Sequence, residues 1–498
     1  MQTFFEWFRT RAIDKGDPWL VLGKGPSFSR RDSYDLGQFH TLSLNHAVRE
    51  QFVRVAHMID YDVVDACAEA IGRNAELLVM PWRPHVDYRP GARNLLELAA
   101  VNPTLRLMNE RGRLAWYNLS TTQEKHGDSP VVHARFFSAE AALNLLAHAG
   151  VREVRSLGVD GGSAYSPAFD DLKDKTLLSG GQASFDPQFE EFAKIILSTG
   201  IDYAPLDTEA PIRVYVGATE AQALPLRVLE YSIRKHASMS IKVFPLHRAG
   251  VEIPRPADEK NRPRTPFSFQ RFLIPELAGR RGRALYLDSD MLVFKDIRRL
   301  WNLPFDGADL LAARAADGEG RRPQFSVMLL DCEALRWDVR EIVESLDSGE
   351  LTYERLMFEM PVAGCVRASI EPAWNSLERF RRGETALLHY TDMERQPWVS
   401  RLNPLNRLWT RELLEAVDGG HITRGEVEEQ VGRGHVRPSL LRQLDERITD
   451  SRRLSGEARA LDRTFIPPAG VAGQGRTFGQ RVKNVLKTLL VPPKETPG

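Results

Sequence analysis

The sequence predicts an α/β fold with two Rossmann-like parallel-sheet domains, followed by a helical C-terminal tail. Three observations support this prediction. The 498 residues exceed the roughly 250–300 that one hydrophobic core usually serves. Short apolar runs such as 19–22 and 284–287 lack polar alternation, which is typical of strands buried on both faces of a parallel sheet. Several runs end in glycines or carboxylates, and helical patterns separate them.

The first domain is expected over residues 1–205. Its strands are predicted at 19–22, 41–44, 54–59 and 77–80, with a further run at 155–159. Ser138 is expected to cap a helix over 139–149 that Gly150 ends. His57 and His133 are interpreted as structural, because the sequence gives neither a partner.

Gly23 and Gly25 directly follow the first of these strands. Glycines there let the backbone approach a ligand, and their N–H groups can cradle a phosphate. The spacing is not G-x-G-x-x-G, so it does not predict a dinucleotide site. The alternative is a turn that only shapes the domain.

A polar, proline-containing stretch at 206–211 predicts the domain boundary. The second domain is expected over 206–415 and the helical, loosely ordered extension over 416–498. Residues 452–476 are expected to form a linker. The basic, apolar stretch at 481–491 predicts a docking helix, and the alternative is a helix at an anionic membrane surface.

Composition narrows the function. Lys+Arg and Asp+Glu both total 67, so the formal net charge is zero and a basic nucleic-acid-binding face is not expected. Three separated cysteines predict neither a disulfide framework nor a zinc site. The N-terminus does not resemble a signal peptide, and no apolar stretch approaches the roughly 20 residues of a membrane span. These features favour a cytoplasmic protein.

Asp288 and Asp290 are the central candidates for chemistry. Side chains at i and i+2 of an extended segment point the same way, so the two carboxylates can converge on one ligand. Ligands of α/β sheets bind beyond the carboxyl ends of the strands, where this pair is expected. Paired carboxylates suit a divalent cation that also holds phosphates. The alternative is an ordinary solvated turn.

The first domain carries a family resemblance. "VLGKGPSF" at 21–28, "SLNHAV", "HMIDYDVVDA" and "SLGVDGGSAY" resemble the bacterial sialyltransferase-like and motility-associated-factor superfamily over 18–175. The resemblance implies a nucleotide pocket that is lined by Gly23, Gly25, Ser27, Asn45 and Asp160. Lys24 stands where that family has asparagine.

The second domain resembles glycosyltransferase family 8 over residues 212–400. The matching motifs follow the family's order: "VYVGATE", "FSFQRFLIPEL", "RALYLDSDMLVFKDIRRLW", "FSVMLLD", "PAWNSL" and "LLHYTDMERQPW". The resemblance implies a GT-A fold, retaining transfer, a nucleotide-sugar donor, expected to be a uridine diphosphate sugar, and bound Mn²⁺ or Mg²⁺.

The resemblance also assigns residues. The implied metal ligands are Asp288, Asp290 and His389. The implied donor-binding residues are Ala218, Thr219, Glu220, Arg271 and Ser289. Glu354 and Asn375 are the expected catalytic residues, Glu354 standing in for an Asp-Gln segment that has no clean counterpart here.

Two further positions depart from the family. Gln396-Pro397-Trp398 replaces its Lys-Pro-Trp, so Arg395 is the remaining candidate cation for the diphosphate. The Asn-x-Gly before the "VMLL" strand is absent, with Ser326 nearest.

The resulting hypothesis is a metal-dependent glycosyltransferase of bacterial surface polysaccharide synthesis, acting on a glycan or lipid-linked acceptor. Its first domain is expected to be a second transferase or a substrate-positioning module. Peripheral membrane contact through the basic tail stays open. Two alternatives are a nucleotidyl or pyrophosphoryl transferase and an inactive nucleotide-sugar-binding or glycan-binding scaffold.

Overall fold

The computed structural model describes residues 1–11, 13–172, 182–265, 267–314 and 325–468. They form two compact units. The first unit contains Met1–Arg213, Ser232–Lys242 and Val293–Pro304. The second contains Val214–Tyr231, Val243–Leu292 and the described part of Phe305–Gly498.

The first unit is built on a parallel sheet, in which the strands pair in the order β1-β8-β5-β4-β3-β2-β10-β11, with β9 beside β8. Its short apolar strands are buried on both faces, which is the pattern expected of such a sheet. The strands, with the hairpin β6–β7, are β1 (Gln2–Thr3), β2 (Trp19–Leu22), β3 (His40–Leu44), β4 (Val53–His57), β5 (Ala75–Pro81), β6 (His85–Val86), β7 (Arg89–Pro90), β8 (Leu114–Leu119), β9 (Val131–Val132), β10 (Glu153–Leu157) and β11 (Asp202–Pro205).

Helices and 3₁₀ turns connect most of these strands. They are α1 (Phe4–Thr10), α2 (Asp62–Ala66), α3 (Ala68–Asn74), α4 (Leu95–Val101), α5 (Pro103–Glu110), α6 (Ser138–Ala149) and α7 (Gln188–Thr199), with 3₁₀ turns at Pro26–Ser33, Leu36–Gln38, Asn45–Arg49 and Pro167–Leu172. Gly150 ends α6 in the left-handed conformation, as predicted. The Ser138 cap was wrong: α6 begins at Ser138 without a side-chain cap, and its hydroxyl accepts from Asn45 Nδ2 at 3.3 Å.

The second sheet has six strands in the order β13-β12-β14-β17-β16-β18. Its strands are β12 (Ile212–Gly217), β13 (Ile241–Pro245), β14 (Arg283–Asp288), β16 (Leu310–Ala313), β17 (Val327–Asp331) and β18 (Val366–Ile370). β12, β14, β16 and β18 share one direction, while β17 runs opposite between β14 and β16. The α/β class is therefore confirmed, and this second sheet is mixed rather than wholly parallel.

A smaller sheet joins β15 (Met291–Val293), β20 (Leu387–His389) and β19 (Ser376–Leu377) in that order. The remaining helices are α8 (Ala223–His236), α9 (Ile274–Leu277), α10 (Arg298–Trp301), α11 (Val339–Asp347), α12 (Tyr353–Glu359), α13 (Asn406–Asp418), α14 (Arg424–Gly432), α15 (Ser439–Asp445) and α16 (Gly456–Ala460). Shorter 3₁₀ turns lie at Glu220–Gln222, Leu246–Arg248, Glu259–Asn261, Gln270–Leu273, Pro372–Asn375, Ser451–Arg453 and Leu461–Thr464.

The helices α14 to α16 lie within the predicted extension, while α13 begins at Asn406, before it; α16 falls within the stretch 452–476 that was expected to be a linker. Within the described ranges, no helix combines the length and apolar character that crossing a bilayer requires. The predicted basic helix at 481–491 lies outside the described residues, as does the end of the predicted linker.

Candidate functional site

The second unit brings two carboxylates and an imidazole together. Asp288 ends β14, and Asp290 follows two residues later, directly before β15. His389 ends β20, which pairs with β15. One ligand atom from each of the three side chains lies within 4.8 Å of the others. All three are buried. The sequence prediction that these residues converge therefore matches their placement.

Asp290 is held through one of its two carboxylate oxygens. Gln396 Nε2 donates to its Oδ2 at 2.8 Å and to the Tyr390 carbonyl at 3.0 Å. The other oxygen, Oδ1, lies 3.1 Å from His389 Nε2, outside hydrogen-bonding geometry. One carboxylate oxygen is thus fixed by Gln396, and the second is left for another partner.

Asp288 lies in a different environment. The Tyr286 hydroxyl donates to its Oδ1 at 2.5 Å, and Arg271 Nη2 lies 3.8 Å from the same oxygen. Its Oδ2 lies 4.0 Å from His389 Nε2. Burial raises the pKa of Asp288. The Arg271 guanidinium lowers this pKa, and the Asp290 carboxylate raises it further. A bound cation would offset the burial of this charge.

Backbone register explains where Tyr286 points. Gly217 on β12 pairs with Asp288 on β14. A Cβ at Gly217 would lie 2.4 Å from the Tyr286 hydroxyl oxygen and 3.1 Å from Phe267 Cδ2. Position 217 therefore requires glycine, because the Tyr286 hydroxyl beside Asp288 occupies the space that a Cβ would need.

His389 is oriented through its other ring nitrogen. Nδ1 lies 3.1 Å from Asn375 Oδ1, and Asn375 Nδ2 donates to Ser326 Oγ at 3.2 Å. Because an amide oxygen only accepts, this contact places a proton on Nδ1 and turns Nε2 towards the carboxylates. Burial lowers the pKa of His389, but Asp290 and Asp288 outweigh it, so the pKa is raised.

Arg271 is buried beside this group. Its Nη1 donates to the Phe325 carbonyl at 2.6 Å, and its guanidinium lies 4.5 Å from the Tyr286 ring centroid. Its Nε is buried and has no hydrogen-bond partner among the described residues. The guanidinium is therefore fixed next to Asp288, with donor capacity left over for an anionic ligand.

The predicted donor-binding residues near β12 hold local contacts. The Ala218 carbonyl accepts from Gln270 Nε2 at 3.2 Å. Thr219 begins a turn and its N–H donates to Gln222 Oε1 at 3.1 Å. These contacts fix the chain directly after the strand that pairs with β14.

Three predicted residues remain. Glu220 is exposed, with Oε1 3.4 Å from His247 Nε2. Ser289 lies between the aspartates: its N–H donates to the Gly217 carbonyl at 3.1 Å, and its buried Oγ has no partner in the described part of the chain. Glu354 is exposed in the first turn of α12, and its catalytic role stays a prediction.

These groups fit a divalent metal ion. Two buried carboxylates and an imidazole nitrogen form an oxygen- and nitrogen-rich donor set of the kind that Mn²⁺, Mg²⁺ or Zn²⁺ takes. The unbonded Asp290 Oδ1 and the Asn375-oriented Nε2 face each other across 3.1 Å. Gln396 and Asn375 supply the outer hydrogen bonds that usually orient metal ligands.

Two of these contacts escaped the sequence prediction. Tyr286 belongs to a run predicted to be an apolar strand, although it precedes Asp288 by two residues and so shares its face. Gln396 stands where the resembling family has lysine, and its bond to Asp290 spans 106 residues. Such a separation leaves no local pattern to detect.

The segment that carries Gln396 is tied to the following helices. Arg437 is fully buried. Its guanidinium Nε donates to the Pro397 carbonyl at 3.0 Å, and its backbone N–H donates to the Trp398 carbonyl at 2.8 Å. Burial lowers the pKa of Arg437 to about 10, and Asp462 opposes this change. Asp462 also accepts from the Ser439 N–H at 2.8 Å.

The first unit contains a separate cavity of about 800 Å³. It lies at the carboxyl edge of the parallel sheet, and Gly23, Gly25, Asn45 and Asp160 line it. Ser27 is not among the lining residues; its N–H and Oγ donate to the Asp160 carboxylate at 2.7 and 2.8 Å.

The two glycines are required by close packing. A Cβ at Gly23 would lie 2.2 Å from the Gly158 carbonyl oxygen, and one at Gly25 would lie 2.5 Å from Asp160 Oδ2. The glycine-containing loop therefore packs directly on the chain that follows β10. The structure places four of the five predicted nucleotide-pocket residues around one cavity, and their ligand stays a prediction.

Comparison with known proteins supports the assignment of the second unit. Residues 228–347 match the Glycosyl transferase family 8 model; this span includes Arg271, Asp288 and Asp290. Protein CDI of Arabidopsis thaliana is 32% identical over 98 residues, which cover 19% of this chain and 37% of that protein. The chain thus spans little more than a third of that relative's length.

Solved structures give weaker likenesses. The glycosyltransferase GlyE of Streptococcus pneumoniae TIGR4 is 17% identical over 41% of this chain and 60% of its own, with a TM-score of 0.31. The galactosyltransferase LgtC, solved with donor and acceptor sugar analogs, is 15% identical over 43% of this chain and 96% of its own, with a TM-score of 0.30. The bifunctional glycosyltransferase WbbM is 13% identical over 49% of this chain and 61% of its own, with a TM-score of 0.30. On the strength of the family match, this chain carries a glycosyltransferase family 8 segment at residues 228–347.

Proposed function

We propose that this protein is a metal-dependent glycosyltransferase that moves a sugar from a nucleotide donor, a uridine diphosphate sugar, to a glycan or lipid-linked acceptor. The observation that carries the proposal is the buried Asp288–Asp290–His389 triad. Its two aspartates fall inside the family 8 segment.

The triad would hold Mn²⁺ or Mg²⁺, with Asp288, Asp290 and His389 as ligands. A bound divalent ion at this place supplies charge stabilisation for the nucleoside diphosphate that leaves as the glycosidic bond breaks. Asn375 keeps the His389 Nε2 lone pair available by accepting from Nδ1–H. Gln396 prevents Asp290 from rotating away.

Arg271 is proposed to bind the diphosphate. Its guanidinium is fixed by the Phe325 carbonyl and the Tyr286 ring, so its unbonded Nε and its forked geometry are pre-organised for an anion. Ser289, whose buried Oγ lacks a partner in the described chain, is proposed to bind the donor next to Asp290. Ala218, Thr219 and Glu220 are proposed to hold the base and ribose.

The finer parts of the proposal concern stereochemistry, place and pathway. Transfer with retention of configuration is proposed, with Asn375 and Glu354 as the catalytic residues beside the sugar. The setting proposed is bacterial surface polysaccharide synthesis in the cytoplasm. The first unit is proposed to bind a second nucleotide through Gly23, Gly25, Ser27, Asn45 and Asp160, as a second transferase or a positioning module.

A thermal-shift screen of nucleotide sugars tests the central proposal. We expect a uridine diphosphate sugar to raise the melting temperature of the wild type with Mn²⁺ and much less with EDTA. Asp290→Asn should lose the Mn²⁺-dependent part. Glu350→Gln is the matched control, since Glu350 is exposed on the second unit and its change also removes one negative charge.

Product analysis separates the proposal from its alternatives. Release of a nucleoside diphosphate supports sugar transfer, whereas release of pyrophosphate indicates a nucleotidyl or pyrophosphoryl transferase. Binding without turnover in the presence of Mn²⁺ and an acceptor mixture indicates a binding scaffold. If no nucleotide sugar shifts the wild type, or if Asp290→Asn responds as the wild type does, the proposal fails.

A further inference from the structure

The cavity of the first unit holds charges that the family 8 segment does not involve. Its wall is formed where β2, β3, β4 and β10 end, and its volume of about 800 Å³ lies in the range of small-molecule sites. Lys24, His46 and Asp60 line it together with the glycines. None of these three residues was among the predicted nucleotide-pocket residues.

Lys24 is one of the described cations that line this cavity, together with Arg49 and Arg135. Its Nζ lies 4.6 Å from the Tyr165 ring centroid, and within the described ranges it has no carboxylate at ion-pair distance. Burial lowers its pKa to about 8, with Asp60 and Asp171 opposing the change. A partly buried ammonium without a paired anion is unfavourable in the free protein, and a bound anion would supply the missing partner.

The wall also carries acceptors that lack donors. Asn45 Oδ1, His46 Nδ1 and Asp60 Oδ1 are buried and have no hydrogen-bond partner among the described residues. Burial lowers the pKa of His46 to about 4, so its ring is neutral near pH 7. Asn45 and Asp60 oxygens accept hydrogen bonds, and a neutral imidazole nitrogen can accept one as well. Ligand hydroxyl groups would satisfy such atoms.

The other charges limit how much negative charge a ligand can bring. Arg49 is paired with Asp171 at 2.9 Å, and Arg135 lies 3.4 Å from Glu190. Asp60, Asp62 and Asp87 all line the cavity. Among the described lining residues, Lys24 is therefore the Lys or Arg side chain without an ion pair, which favours one phosphate group over a di- or triphosphate.

We propose that this cavity binds a compound with one phosphate and several hydroxyl groups, with the phosphate on Lys24 and the hydroxyls on Asn45, His46 and Asp60. Sugar phosphates and nucleoside monophosphates share this chemistry. The inference deepens the first-unit part of the proposed function by naming its anion-binding group, and it does not depend on the Asp288–Asp290–His389 triad.

A structural role for Lys24 predicts a different behaviour. If Lys24 serves only to pack on Tyr165, replacing it should lower the melting temperature of the free protein. If it is kept for a ligand, Lys24→Met removes a partly buried charge that has no ion-pair partner among the described residues, and it should leave the melting temperature equal or higher while binding is lost. Lys24→Gln, which keeps a polar end without the charge, should follow Lys24→Met.

Titration calorimetry on the full chain in EDTA tests the proposal, because EDTA keeps divalent ions off the triad. The probes are glucose 6-phosphate, uridine 5′-monophosphate, inorganic phosphate and glucose. We expect saturable binding of at least one phosphorylated polyhydroxy probe and at least tenfold weakening by Lys24→Met. Asp60→Asn should weaken the binding of that probe several-fold but should not weaken the binding of inorganic phosphate, because the lost carboxylate repels an anion.

Asp290→Asn is the control, since it changes the second unit and should keep the affinity within twofold. Tighter binding of glucose 6-phosphate would indicate a sugar phosphate as the ligand, and tighter binding of uridine 5′-monophosphate would indicate a nucleotide. The proposal is overturned if neither phosphorylated polyhydroxy probe binds, if glucose binds as tightly, or if Lys24→Met retains the affinity. It is also overturned if Asp290→Asn abolishes binding, because the ligand would then lie at the triad. These outcomes do not bear on nucleotide-sugar turnover at the triad.

Discussion

Gln396 Nε2 and Asp290 Oδ2 lie 2.8 Å apart, and this contact leaves the second oxygen of Asp290 beside His389. A lysine in place of Gln396 would form an ion pair with the Asp290 carboxylate and so neutralise its charge. The amide instead fixes its orientation without neutralising it, so the carboxylate keeps its full charge for a cation.

Gln396→Ala should therefore weaken Mn²⁺ binding by about 10- to 100-fold, as loss of an outer hydrogen bond to a metal ligand usually does. Calorimetric titration of the metal-free protein with Mn²⁺ measures this change, with Glu350→Gln as the control. An unchanged affinity would show that Asp290 does not need this partner.

Asn375 offers a second test through His389. Asn375→Leu removes the acceptor for Nδ1–H, and we expect about tenfold weaker Mn²⁺ binding because the ring loses its fixed orientation. Asn375→Asp keeps an acceptor at this place and should restore much of the affinity. Equally weak Mn²⁺ binding in both variants would mean that the packing of the Asn375 side chain, and not its hydrogen bond to His389, maintains the affinity.

Gly217 and Tyr286 should be energetically coupled. Gly217→Ala puts a methyl group 2.4 Å from the Tyr286 hydroxyl oxygen, which we expect to cost about 1–3 kcal/mol in unfolding free energy. Tyr286→Phe removes that oxygen together with the donor to Asp288. In the double variant the two losses should be clearly less than additive, which a double-mutant cycle by urea unfolding measures. Simple additivity would contradict the packing described.

The first unit should lose stability on acidification. His57 is fully buried, with Nε2 2.8 Å from the Tyr117 hydroxyl, and burial lowers its pKa from 6.5 to about 3. Since the folded-state pKa is the lower one, protons bind the unfolded chain first. Stability should fall as the pH drops from 6.5 towards 3, by at most about 1.4 kcal/mol per pH unit for this group. His57→Gln should flatten the pH dependence of the melting temperature between pH 6.5 and 5. A slope that stays the same would assign the effect to other groups.

Local patterns predicted the main strands well. Residues 19–22 were placed without error, and His57 was expected to be structural, as its buried contact with Tyr117 indicates. The strand β8 (Leu114–Leu119) was not predicted, although it is buried along its whole length. It carries Trp116, Tyr117 and Asn118 in a row, so neither alternation nor an aliphatic run marks it.

The candidate site was predictable only in part. Asp288 and Asp290 come from one short motif, and His389 came from the order of motifs in a resembling family. Tyr286 could have been found from its spacing to Asp288. The bonds from Gln396 to Asp290 and from Arg437 to Pro397 join distant parts of the chain, so they depend on tertiary packing rather than on local sequence. The domain boundary at 206–211 and the roles of Glu354 and the donor residues stay predictions.

Arg437 has a practical consequence for anyone who shortens the protein. The family match ends at residue 347, and a cut near residue 415 would keep every candidate ligand. Such a cut removes the guanidinium that holds the Pro397 carbonyl and the Asp462 carboxylate that supports it, so the chain carrying Gln396 would lose its anchor. A recombinant version of the second unit should therefore extend beyond Thr464, where the last described turn ends.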